Sequence, residues 1–399
     1  MKPVLVAALV LALSGNLPAS ARDDIEVMTL NQYLGADFAS LLAPPGGDFG
    51  AELVRILEEV AATDFPARAQ RQAREIARRK PHLVGLQEVW ALSCSDFNAA
   101  DQRGCEDPAI ADAFLDYLDQ TLDALAARGA DYDVVAVVEN LDLSSIQIPP
   151  FPPGLPFLIN NVPAALIAVD RDVILARADV PAVPADLDCE NPSEDGCNYG
   201  FILNVPIPPI EVSFERGFVG VDATVGSKDY RFVNTHLEIR EPVPKEFQCA
   251  QAAELIETLD ATPPEVSLIL VGDLNSSPKD EPVPGTLPLP VPLPPSCSPE
   301  VVPPYVQLLE AGYTDVWTLR RPPAPGFTCC QAPDLLNRRS TLDERIDFIF
   351  SLGEPARVRQ VRVVGARVSD RTRPPPRLWP SDHGGVLATL RFEHSLAGW

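Results

Sequence analysis

The sequence predicts an α/β fold, on three observations. Short apolar runs free of turn formers recur along the chain and read as buried strands; residues 268–271 are the clearest. Between them lie segments of helical character, such as residues 65–80, with Pro66 near the start and Pro81 as the stop. Apolar residues make up 46% of 399, which places the chain among globular proteins and allows one large α/β domain or two smaller ones.

In order, residues 1–21 read as a secretory signal. Lys2 is the charged start, residues 4–13 an apolar stretch too short to span a bilayer, and Ala19-Ser20-Ala21 a cleavage site. A mature domain over 22–399 is expected to be exported. Residues 25–30 form the first strand, ending at Asn31. Helices follow over 52–60 and 65–80, and the strand 82–87 runs straight into Glu88. A carboxylate at the end of an apolar strand needs a partner to offset its desolvation, either a salt bridge or a hard cation.

Residues 108–128 read as a helix with Phe114, Leu118, Leu122 and Leu125 on one side. The strand 132–138 ends in Glu139. Residues 141–163 and 201–212 are Pro-punctuated apolar loops, suited either to covering the core or to forming an apolar rim for peripheral membrane contact. Strands continue over 164–169 and 173–176. A hairpin, 217–225 with 230–234, turns at Gly226 and delivers His236. A helix over 247–259 leads to the strand 268–271, and Asp273 and Asn275 follow. They share one side of an extended segment, although an Asx turn would use the same residues. Residues 281–304 form a Pro-rich surface insert. A short helix over 305–311 follows it. Asp347 lies inside the aromatic strand 344–350, where burial demands a hydrogen-bonding partner. A strand over 361–368, the loop Asp382-His383 and a last strand over 386–392 complete the chain.

The net charge of −24 argues against long-range attraction to DNA or to an anionic membrane, without excluding a local basic groove. The arginines of residues 68–80 and of 357–377 read as solvated faces. Eight cysteines in an exported chain imply disulfides. Cys94 with Cys105 and Cys189 with Cys197 are the expected pairs. Cys329 and Cys330 are expected to reach Cys249 and Cys297, or to leave one thiol free, because a bond between neighbours is strained.

The ordered series N…LQE…NTHL…GDxN…RIDFIF…SDH resembles the endonuclease/exonuclease/phosphatase superfamily, which includes deoxyribonuclease I and bacterial sphingomyelinases, over residues 25–391. The resemblance implies a four-layer α/β sandwich, two mixed sheets face to face with helices outside, and a site at one edge. It implies Mg²⁺, with Mn²⁺ able to substitute, held by Glu88 with Asn31 and Asp382 nearby. It implies Asp273 as the group activating water, Asn275 as the phosphate-binding amide, His383 paired with Asp347, and His236 as the second histidine, with Glu139 as its partner. Tyr33 stands where many abasic-site endonucleases carry an acid.

The expected activity is hydrolysis of a phosphodiester, in nucleic acid or a phospholipid headgroup, with no obligate protein partner. The alternatives are a phosphomonoesterase acting on a sugar or inositol phosphate, and a non-catalytic binding protein that kept the fold. Needs of the chemistry agree with the leading reading: an activated water, a cation on a non-bridging oxygen and a proton for the leaving alkoxide.

Overall fold

A computed structural model describes residues 24–42, 47–97, 103–149, 151–207, 210–287, 292–353 and 355–393. The signal-like segment and its cleavage site lie outside these residues, as do residues 150, 208–209 and 288–291 of the Pro-rich segments.

The chain builds one sheet, crosses to a second, and returns. First come β1 (Asp24–Asn31), β2 (Leu83–Gln87), β3 (Ala91–Asp96), β4 (Tyr132–Asp142), β5 (Leu155–Ile159) and β6 (Val162–Arg177). Then follow β7 (Ala182–Pro184), β8 (Gly196–Asn198), the separate hairpin β9 (Leu203–Ile207) and β10 (Ile210–Phe214), β11 (Gly217–Val225), β12 (Lys228–His236) and β13 (Ser267–Asp273). The small pair β14 (Val283–Pro284) and β15 (Glu300–Val301) precedes β16 (Tyr313–Asp315) and β17 (Asp347–Leu352). Finally β18 (Arg357–Val364) and β19 (Gly385–Arg391) rejoin the first sheet. That sheet has the order β18-β19-β1-β2-β6-β3, with β4 and β5 also on β6; the second runs β16-β17-β13-β12-β11-β7, with β8 also on β11. Parallel pairs (β1 with β2, β12 with β13) and antiparallel pairs occur in both, so both sheets are mixed.

Side-chain alternation sorts the layers. Ile25 and Val27 of β1, Tyr230 and Phe232 of β12, Ile269 and Val271 of β13 and Ile349 of β17 form one core between the sheets. The alternate residues face outward. Met28 and Leu30 meet the helices α1 (Phe49–Ala62), α2 (Phe65–Arg79) and α3 (Tyr117–Ala126). Leu268, Leu270, Phe348 and Phe350 lie in the outer core of α4 (Lys245–Leu259) and α5 (Pro304–Glu310). This is the four-layer sandwich the resemblance implied. The first three helices start at aspartates whose side chains accept from free amides: Asp48 from Ala51, Asp64 from Ala67, Asp116 from Leu118.

Several expectations are corrected. The helix over 108–128 is a single 3₁₀ turn, Ala111–Ala113, followed by α3, because Asp116 caps a new start. The 141–163 loop contains β5, whose Leu155, Phe157 and Ile159 are buried while Leu158 is 58% exposed. The 201–212 loop forms the β9–β10 hairpin. Cys249 pairs with Cys297, where the Cα atoms are 5.8 Å apart, and Cys329 bonds its neighbour Cys330. Cys249 and Cys297 pack together in a small core with Val301, and so are consumed by each other. The other two pairs are as expected. Nor is α2 simply solvated. Arg68 is fully buried and donates to the carbonyls of Gln32 (2.8 Å), Tyr33 (3.1 Å) and Thr63 (2.9 Å), and Arg71 donates to that of Asp370 (2.7 Å).

Candidate active site

The inward column of each central strand, followed to its end, reaches a polar residue. In β1 the sequence Ile25, Val27, Thr29 leads to Asn31; in β2, Leu83 and Gly85 lead to Gln87. In β12, Tyr230 and Phe232 lead to Asn234 and His236; in β13, Ile269 and Val271 lead to Asp273. In β17, Asp347 stands two residues before Ile349. Period two thus carries an apolar core into a polar edge without bending a strand. Lateral register aligns the groups, with His236 opposite Asp273 and Asp273 opposite Asp347.

The sheets are stitched at this edge. Asn234 donates to the carbonyls of Leu86 (2.9 Å) and Val173 (3.2 Å), and the amide of Gln87 donates to Asn234 Oδ1. Gly85 permits this approach: a Cβ there would lie 2.7 Å from Asn234 Oδ1 and from Val271. Asn31 Nδ2 donates both to Glu88 Oε1 (2.9 Å) and to Asp273 Oδ2 (3.2 Å), spanning the two sheets.

Two imidazoles flank Asp273, each with a ring nitrogen 3.7 Å from Oδ2. Their environments differ. His383 Nδ1 donates to Asp347 Oδ2 at 2.9 Å. Burial alone would push His383 down, but Asp347, Asp382 and Asp273 outweigh it and hold the ring well above its ordinary range, so it is charged. His236 is pushed well below its ordinary range by burial, then by Arg216 and His383, and stays neutral. Arg216 Nη1 lies 3.0 Å from His236 Nδ1. A guanidinium only donates, so Nδ1 is the acceptor and the ring proton sits on Nε2, facing Asp273. Asp273 itself is raised to about 7 by burial and by Asp347; the Asn275 backbone amide donates to its Oδ1 at 2.9 Å. Asn275, at φ +47°, anchors its side chain on the Leu237 carbonyl (3.0 Å), with Nδ2 3.2 Å from His236 Nε2.

Glu88, at φ +53°, turns back from β2 to accept from the Leu34 amide at 2.8 Å as well as from Asn31. Asp382 is raised to about 7 by burial, which outweighs His383, with Glu88 pushing the same way as burial; its carboxylate accepts from Ser381 Oγ at 3.4 Å and lies 3.9 Å from His383 Nε2. Glu88 and Asp382 both line the cleft, and the Asn31 side chain, whose Oδ1 accepts from the Tyr33 amide at 2.9 Å, donates to Glu88 beside them. This all-oxygen donor set fits a hard divalent cation. Tyr33 adds no charge, since its hydroxyl donates to the Pro333 carbonyl at 3.1 Å.

All the residues singled out in the sequence meet here except Glu139. It is exposed and lines a separate acidic hollow, while its carbonyl accepts from Asn198 at 2.6 Å. The partner of His236 is Arg216 instead. Sequence reading missed Arg216, Asp170 and Glu238. Arg216 lies between β10 and β11 at φ +44°, with no motif around it; its place emerges only because β11 pairs Gly217 with His236. The groups open onto a cleft of about 410 Å³ walled by Phe38, Trp90, Leu203, Phe214 and the Cys329–Cys330 pair.

The protein is a phosphoric ester hydrolase, by membership of a family of such enzymes. The chain belongs to the Endonuclease/Exonuclease/phosphatase family, whose model matches residues 46–383, and enzymes of this family generally use divalent metal ions. Similar solved structures include a family protein from Beutenbergia cavernae (20% identity, 93% of this chain and 72% of that one, TM-score 0.49). Another comes from Bacteroides thetaiotaomicron (15%, 93% and 98%, 0.49), and a third is truncated Caenorhabditis elegans TDP2 (15%, 92% and 98%, 0.46). No curated protein matches the sequence.

Proposed function

We propose that the protein is an exported, Mg²⁺-dependent phosphodiester hydrolase in which an activated water attacks phosphorus in line. The observation that carries this reading is the pair of oppositely biased histidines flanking one buried carboxylate, both 3.7 Å from Asp273 Oδ2. Glu88, Asn31 and Asp382 would hold the cation. When bound, it supplies positive charge to a non-bridging phosphoryl oxygen and so favours the pentacoordinate transition state.

The chain does the rest. Asp273, raised towards neutrality, can accept the proton of the attacking water at physiological pH. His383, kept charged by Asp347, offers a proton to the departing alkoxide. His236 presents Nε2–H to the charge that develops on phosphorus, and Arg216 fixes that tautomer. Asn275, braced on the Leu237 carbonyl, lies beside them for a phosphoryl oxygen. The disulfides agree with an oxidising compartment.

The test is release of p-nitrophenol from methyl p-nitrophenyl phosphate by the mature chain with Mg²⁺, run beside plasmid DNA and sphingomyelin liposomes, with His236→Ala as the blank. Hydrolysis that stops with EDTA, returns with Mg²⁺ and falls at least 100-fold in the variant is expected. Cleavage of phosphomonoesters alone would overturn the diester reading.

A further inference from the structure

The hydrolysis proposed above uses no sulfur, yet two half-cystines stand beside one of its histidines. Cys329 and Cys330 line the cleft, and their Sγ atoms and a ring nitrogen of His383 lie within 4.8 Å of one another. The backbone fixes this meeting. The Gln331 amide donates to the Asp382 carbonyl at 2.8 Å, and the Gly384 amide donates to the Thr328 carbonyl at 2.7 Å. These two bonds lay residues 328–331 antiparallel along 382–384, so the cysteines are held opposite Asp382 and His383. Thr328 Oγ1 also accepts from the Ile346 and Asp347 amides, at 3.1 and 3.2 Å, which ties the segment to the start of β17.

With the disulfide opened, this corner of the cleft holds the donors that soft cations prefer, two thiolates beside an imidazole. His383 Nδ1 is committed to Asp347 at 2.9 Å, so Nε2 is the nitrogen left to coordinate. A carboxylate on the far ring nitrogen is the usual support of a metal-bound histidine. Asp382 Oδ1, 3.9 Å from Nε2, is at hand as a fourth donor. Two sulfurs, a nitrogen and an oxygen suit tetrahedral Zn²⁺, whereas the all-oxygen set of Glu88, Asn31 and Asp382 suits a hard ion. Closed as a disulfide, the sulfurs carry no charge to offer. Among the described residues Cys330 is the one exposed half-cystine, so a dithiol can reach its sulfur.

We propose that Cys329, Cys330 and His383 form a redox-gated inhibitory site for a thiophilic divalent cation such as Zn²⁺. A dithiol reductant gives two electrons and two protons to the Cys329–Cys330 bond, which opens to two thiols, and leaves as its own cyclic disulfide. Zn²⁺ then displaces the two thiol protons and the Nε2 proton of His383 to solvent. Held by the metal, His383 has no Nε2 proton for a departing alkoxide, and turnover stops. Reoxidation by a disulfide such as oxidised glutathione closes the bond, reduces the oxidant to two thiols and releases the ion. The block of turnover rests on the hydrolase reading; the binding site does not.

The test reads binding and turnover separately. The full chain is prepared with the pair closed and, after mild treatment with dithiothreitol and its removal, with the pair open; alkylation and peptide masses identify the bond that opened. Zn²⁺ is titrated calorimetrically into each form in excess Mg²⁺, and Co²⁺ absorption reports thiolate ligation. The reduced form should take up Zn²⁺ at least about tenfold more tightly than the closed form and give a thiolate–cobalt charge-transfer band. Turnover of methyl p-nitrophenyl phosphate with and without Zn²⁺ is compared as a ratio within each protein, so that an effect of reduction or substitution on turnover itself cancels. That ratio should fall at least about tenfold in the reduced form only, and recover with oxidised glutathione. Cys329→Ser/Cys330→Ser should lose both the band and the tight binding; reduced wild-type protein alkylated at Cys330 checks the same point without a substitution. Equal affinity in the two forms, or a cobalt band that survives in the double variant, would overturn the site, and undiminished turnover with Zn²⁺ bound would overturn the block. Tight, reduction-dependent binding by a protein that hydrolyses no ester would leave the site standing and remove the hydrolase reading instead.

Discussion

Asp347 shows how a single buried carboxylate sets the state of a site. It holds His383 charged through a 2.9 Å hydrogen bond, and its other oxygen is buried without a partner among the described residues. Asp347→Asn keeps the shape and removes the charge, so His383 loses the largest of the influences holding it protonated. Turnover at neutral pH should fall by about 10²–10⁴-fold with the melting temperature little changed. A loss under tenfold in steady-state kinetics would show that His383 works without its carboxylate. At this scale the sequence was most legible. Asn31, Glu88, His236, Asp273, Asn275, Asp382 and His383 stand at or beside a strand end, where a polar group closing an apolar run is conspicuous, and Asp347 is conspicuous as an acid inside an aromatic strand. Arg216 carries none. Its role depends on which strand β11 pairs with, and no local pattern encodes that.

At the scale of elements, strands are held close by small residues at particular rungs. Gly272 sits at φ +148°, one residue before Asp273, and a Cβ there would collide with the Thr235 carbonyl of the neighbouring strand. Gly272→Ala should destabilise the protein by about 2–4 kcal/mol in denaturant titration and displace Asp273 from the histidines. Wild-type stability in this variant would mean that β12 and β13 separate more easily than their register suggests.

His82 offers a pH handle just before β2. Its Nδ1 accepts the Glu26 amide at 2.9 Å, and burial, then Arg177, lower it to about 4. In the unfolded chain its value is about 6.5. Between these values the unfolded chain carries a proton that the folded one refuses. The contribution is therefore complete above about pH 6.5 and declines as the pH falls towards 4, with a slope of at most about 1.4 kcal/mol per pH unit, less for the part of the ring that meets solvent. His82→Gln should flatten that part of the stability–pH curve; an unchanged slope would locate the effect in another group. Strands and helices with clean periodicity were legible at this scale. Residues 141–163 and 201–212 were not, because proline implies a loop, whereas β5 and β9 are edge segments that tolerate it.

Over the whole molecule, the chain leaves the first sheet after β6, completes the second, and returns for β18 and β19. The closing strand β19 therefore lies beside the opening strand β1. The Pro-rich insert is tied to α4 by Cys249–Cys297, which closes a loop of sequence separation 48. Replacing both cysteines by serine should cost about 2–4 kcal/mol. Turnover should persist below the new melting point, since this pair lies in a satellite core with Val301, away from the cleft. Loss of activity at low temperature would show that the insert supports the cleft. The pairing was illegible in the sequence because only the packing of the insert on α4 brings Cys297 to Cys249.

The Asn31 side chain, with one hydrogen bond to Glu88 of the first sheet and one to Asp273 of the second, has a bearing on how such a protein is kept in order. Neither half holds enough of the centre to react alone. A molecule whose halves have each formed but have docked a rung out of place would be compact, soluble and silent. Any selection for turnover is then also selection for correct assembly across the seam, and a colour reaction on a coloured ester doubles as quality control for the tertiary structure of every variant made.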